Sequence, residues 1–95
     1  MNQDIRTHLA DRKPAEILQE HHDLYRHVCL SWNNDDGTAT RIIECKNRIQ
    51  WIVQHHKGGR WRSKSFCRTR QCLQRLLWSK ASEIREALPP SFVEQ

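Results

Sequence analysis

From Val28 to Cys67 the apolar residues recur at every second position rather than every third or fourth. Val28, Leu30 and Trp32 alternate with His27, Cys29 and Ser31, and Ile49, Trp51 and Val53 alternate with Gln50, Ile52 and Gln54. That period places successive side chains on opposite faces of a strand. Polar clusters at Asn33–Gly37, Lys46–Arg48 and His56–Arg60 divide the stretch into four strands. Asp36-Gly37 supplies the positive-φ position a hairpin needs, and Gly58-Gly59 is a turn signal. Strands joined by turns this short pair antiparallel, so residues 27–67 are expected to form a β-meander of three to four strands. One conflict stands in the last of them. Phe66 has the parity of Arg62 and Lys64, yet it is an apolar residue that belongs in a core, so the strand must kink near Ser65 or end before Phe66.

The flanks follow a different period. Ile17, Leu18, His21, Leu24 and Tyr25 fall at helical spacing after Pro14, a residue suited to a first helical turn, which predicts a short helix over 14–26. Residues 1–13 are polar and are expected to be flexible. Leu73, Leu77, Ala81, Ile84 and Leu88 form one stripe that predicts a helix over 70–88. Thr69 is its expected N-cap and Pro89-Pro90 its stop, with residues 91–95 as a tail. The expected class is α+β, a single domain in which the C-terminal helix backs one face of the sheet and leaves the other in water.

Charge is distributed unevenly. Residues 41–80 hold eleven Lys or Arg against one acid, Glu44, whereas residues 1–40 carry a net −3 and residues 81–95 a net −2, giving +5 in all. Arg60, Arg62 and Lys64 are expected to project from one side of a strand at intervals of roughly 7 Å, similar to the spacing of successive phosphates on a DNA strand. Arg48, Lys57, Arg68 and Arg70 extend the basic block. Gln50 and Gln54 on the neighbouring strand are candidates to read adenine, as arginines read guanine, from a β-ribbon in the major groove. Trp61, between two arginines, is a candidate to stack on a base or to pack across the strands. The expected partner is nucleic acid, duplex DNA in particular, and the rival expectation is an acidic protein surface. Solvated lysines and arginines that merely blunt a sheet edge are the plainest reading of the same pattern.

Other chemistries find little support. The chain has no thiol-enzyme signature and no phosphate-cradling glycine loop, so a non-catalytic protein without a cofactor is expected. Cys67 and Cys72 lack the knuckle spacing of a structural zinc site, and the four cysteines read as small buried thiols. Adjacent histidines diverge in direction, so His55-His56 is expected to add pH-dependent positive charge rather than to chelate. No apolar run suggests a signal peptide or a membrane span, so a cytoplasmic protein with reduced thiols is expected.

The segment from Ile49 to Leu77, a strand, a Gly-Gly-Arg turn, a basic strand, then Phe66-Cys67-Arg68-Thr69 and a helix, resembles the arm-site-binding domain of phage-type tyrosine integrases. It is also similar to the three-stranded domain of Apetala-type plant transcription factors. The resemblance implies a three-stranded sheet lying in the major groove with a helix behind it. It also implies Gln50, Gln54, Arg60, Arg62 and Lys64 as the reading residues. No recombinase domain follows in these residues, so it implies a free-standing DNA-binding accessory of a phage or mobile element.

Overall fold

The computed structural model describes residues 19–92. Strands β1 (Val28–Asn33), β2 (Ala39–Glu44), β3 (Trp51–Lys57) and β4 (Arg60–Cys67) form one antiparallel sheet in chain order. The β1–β2 and β3–β4 turns are closed by glycines at positive φ: Gly37 at 86°, Gly58 at 62° and Gly59 at 78°. Successive positive φ values at Gly58 and Gly59 give the hairpin a twist that matches its strands. The α+β class holds, as a four-stranded meander with helices after it.

The single helix expected over 70–88 is broken. Helix α1 (Arg70–Leu76) ends at Leu77, a 3-10 turn spans Trp78–Lys80, and helix α2 (Ala81–Ala87) follows. A straight helix over the whole span would run about 28 Å, whereas the outer strands of a four-stranded sheet lie about 14 Å apart. The break brings Leu73, Ile84 and Leu88 into one core with Ile42, Trp51, Val53 and Cys67. Gln74 donates from Nε2 to the Ala81 carbonyl at 3.0 Å across it. Thr69 caps α1 as expected, its hydroxyl accepting from the Cys72 N–H at 3.1 Å. Of the expected tail, Ser91 and Phe92 are held: Ser91 bridges to Thr69, and Phe92 donates its N–H to the Arg68 carbonyl and packs edge-on to Trp51.

Cys67 and Cys72 are joined by a disulfide, which corrects the expectation that all four thiols are reduced. Cys67 ends β4 and Cys72 lies in the first turn of α1, so the chain reversal at Thr69 brings the two together. Cys29 and Cys45 are free thiols. Closing so short a loop restricts the unfolded chain by about 2 kcal/mol on the chain-entropy relation. Denaturant unfolding with and without a thiol reductant is therefore expected to differ by about 2 kcal/mol, and the C67A/C72A double substitution should match the reduced protein.

The opposite face of the sheet is not open, contrary to expectation. Tyr25, Ile43, Cys45 and Ile52 form a second buried cluster there. Of the helix expected over 14–26, residues 14–18 lie outside the described ones, and the part from Gln19 to Arg26 forms turns. Helix there would need the carbonyls of Glu20 and His22 for its own ladder. Those carbonyls accept from the Arg41 Nη2 at 2.9 and 3.0 Å, and the His22 carbonyl also takes the Tyr25 N–H at 3.1 Å in a turn.

Tyr25 locks the end of this segment by donating its hydroxyl to the Glu44 carbonyl at 2.7 Å. Burial, followed by the nearby Glu20 charge, pushes its pKa up to about 12 from 10.0. The folded state thus holds the phenol proton more tightly than the unfolded chain does. That stabilisation is complete below pH 10 and is lost as pH rises towards 12. Unfolding free energy measured across this window should fall with pH, and Tyr25→Phe should flatten the decline.

Candidate nucleic-acid interface

The β3–β4 hairpin positions the basic residues. Its register sets Lys57 opposite Arg60, His55 opposite Arg62, His56 opposite Trp61 and Gln54 opposite Ser63. Residues directly opposite share a face, as do residues two apart on one strand. His55, Lys57, Arg60 and Arg62 therefore occupy one face, the same one that carries Val53 and the helices nearer the other end of the strands. At the hairpin end no helix of the described residues covers this face, and Lys57, Arg60 and Arg62 are exposed.

The conflict over Phe66 is resolved by a β-bulge. Val53 faces Ser65 while Gln54 faces Ser63, so Lys64 is the extra residue of β4. The bulge resets the alternation, putting Phe66 opposite Ile52 on the face away from the helices. Phe66 is 56% exposed there, so it is a surface residue and not the core residue its chemistry suggested. Lys64 leaves the row that strict alternation gives it, but its side chain still lines a groove of about 520 Å³ with His55, Lys57, Arg60 and Arg62.

Two physical features mark this groove. First, no carboxylate of the described residues lines it. Among the described residues the ion pair is Lys80–Glu83 at 3.8 Å, at the start of α2, and no hairpin cation takes part. Second, Lys57 and Arg60 are like charges placed directly opposite, an arrangement that destabilises an antiparallel pair.

The remaining expected site residues are elsewhere. Arg48, at φ 54°, sits in the turn before β3 with its guanidinium 3.3 Å from both ring nitrogens of His27. Gln50 is in the same turn, where its carbonyl accepts from the Cys45 N–H at 2.9 Å. Arg68 follows the far end of β4. Arg70 donates to the Leu88 carbonyl at 3.0 Å and so caps the end of α2. Hence four of the expected cations, Lys57, Arg60, Arg62 and Lys64, converge, while Arg48, Gln50, Arg68 and Arg70 lie apart from them.

Gln54 is corrected outright as a base reader. It is fully buried, accepting from the Arg41 Nε at 2.7 Å and donating to the Glu20 carbonyl at 2.9 Å, so its amide is committed to the protein. The sequence reading overlooked Arg41. This residue is 2% exposed, and its guanidinium carbon stands 4.1 Å from the centre of the Trp61 ring. Burial lowers its pKa below the usual arginine value, and Asp23 then Tyr25 oppose that shift. A cation inside the apolar run Ala39–Ile43 was the available signal, because a lone charge at an inward position needs partners. Trp61 is half-buried and lines a groove, with the Arg41 guanidinium over its ring and the His56 ring centre 4.8 Å from its own.

Among the described residues no group of three metal-ligating side chains comes together, and no helix is long and apolar enough to cross a membrane. No protein-family model, curated protein or solved structure matches the chain.

Proposed function

We propose that this is a non-catalytic nucleic-acid-binding domain that docks the phosphate backbone of duplex DNA on the β3–β4 hairpin. The observation that carries the reading is the directly opposed Lys57–Arg60 pair, with Arg62 and Lys64 beside it in one groove and no carboxylate of the described residues lining it. A docked polyanion offsets the repulsion between these side chains. A two-stranded ribbon also has a cross-section the major groove admits. Arginines at exposed ribbon positions present bidentate donors to phosphates and to guanine alike.

The reading differs from docking on an acidic protein in its salt response. With the four cations each on a phosphate, log affinity should fall with log salt at a slope of about −3 to −4. Binding of a random-sequence duplex and of polyglutamate, each measured over a series of salt concentrations, separates the two. Duplex binding with that slope supports the proposal. Tighter binding of polyglutamate, or a slope near zero, refutes it.

A further inference from the structure

A second groove, of about 810 Å³, lies on the other side of the hairpin. Residues 21–24 form one wall, and Arg60, Trp61 and Arg62 line the other. Its aromatic group is fixed before any ligand arrives. Arg41 stacks against the Trp61 ring at 4.1 Å, His56 leans on it at 58°, and the strand pairing holds its backbone. Arg41 is in turn held by Gln54 and by the Glu20 and His22 carbonyls, so the wall of residues 21–24 and the indole belong to one network.

Arg60 and Arg62 line both this groove and the basic groove. A backbone seated on the hairpin cations therefore runs past the mouth of the Trp61 groove. The bases of an intact duplex are stacked on one another and cannot reach the indole. An unpaired base can, because every base has a π-face and aromatic platforms beside cationic tracks take single strands without regard to sequence. Asp23, on the facing wall, is exposed and offers a carboxylate acceptor to an exocyclic amino group.

We infer that the Trp61 groove binds an unpaired base, so that the preferred ligand is a duplex with a single-stranded extension. The inference rests on the hairpin reading and adds to it a ligand class. Stacking one base on an aromatic side chain corresponds to about tenfold in affinity.

The test compares the full chain's affinity for a blunt random-sequence duplex with that for the same duplex carrying a short deoxyadenosine extension. The expected ratio is about tenfold in favour of the extension, falling to about one in Trp61→Leu. Trp61→Phe, which keeps a ring, should retain part of it. Because the first reading uses the unsubstituted protein, it stands even where Trp61→Leu fails to fold. Equal affinity for the two duplexes overturns the groove proposal and leaves the hairpin reading intact, as does a ratio that Trp61→Leu preserves in full. Failure to bind either duplex overturns both.

Discussion

Replacing Arg60 and Arg62 together by glutamate is expected to weaken duplex DNA binding about a hundredfold at 0.1 M salt while leaving the fold at least as stable. The binding estimate follows from counterion release. Each phosphate contact contributes a slope of about 0.9 in log–log form, so two lost contacts remove nearly two decades of affinity at that salt. Repulsion between the new carboxylates and phosphate adds to the loss. The stability estimate follows from the register. Glu at position 60 would face Lys57, and Glu at position 62 would face His55. An opposed pair of opposite charge stabilises a sheet by roughly 0.2–1 kcal/mol, where a like pair costs a similar amount. Duplex titration and thermal unfolding of the same variant should therefore move in opposite directions. A substitution that simply damages the protein would lower both.

Arg41→Leu is expected to have the largest effect on stability, a loss of about 3–5 kcal/mol. The guanidinium is buried and donates to Gln54 and to the Glu20 and His22 carbonyls. Its removal leaves the Gln54 Oε1 without its donor, takes one of two donors from each of the Glu20 and His22 carbonyls, and strips the Arg41 face of the Trp61 ring. For a domain of this size such a loss corresponds to a fall in Tm of about 15–30 °C. Arg41→Lys should recover little, because a single ammonium cannot reproduce the planar fork that holds three partners. Pairing Arg41→Leu with Gln54→Leu should cost less than the sum of the two, since each alone strands the other's polar group. Denaturant unfolding of the two single variants and the double variant reads all three values.

The strands were legible because β1 and β3 carry a period-two signal and turn residues bound all four. Gly37, Gly58 and Gly59 marked hairpins at the positions where the backbone needs positive φ. Thr69 marked the start of α1 for a similarly local reason. Features that depend on distant partners were hidden. No breaker residue in the stripe marks the break at Leu77, which folds Leu73, Ile84 and Leu88 into one core. The turns of residues 19–26 are held by Arg41 and Gln54, from two different strands, which donate to the Glu20 and His22 carbonyls. The bulge at Lys64 explains Phe66, but nothing in RWRSKSFC signals which residue is extra.

The candidate site was legible as a charge excess and not as a shape. The basic block was evident, yet only the pairing register separates Lys57, Arg60, Arg62 and Lys64 from Arg70, which serves the end of α2. Gln54 shows the limit most clearly. Its place on the strand was read correctly, but the face it occupies is covered by residues whose own pattern pointed to a helix. The Cys67–Cys72 spacing was noticed as an unsuitable zinc pair, although a strand end followed by a helical turn also brings two thiols within bonding range.

The central claim is that the hairpin cations, rather than the basic composition as a whole, meet the phosphates. Its most direct test is the salt dependence of duplex binding in the Arg60→Ala/Arg62→Ala variant, with Arg75→Ala in exposed α1 as the control. The log–log slope should become less negative by about 1.8 in the hairpin variant and should not change in the control. Equal slopes in all three proteins would contradict the account.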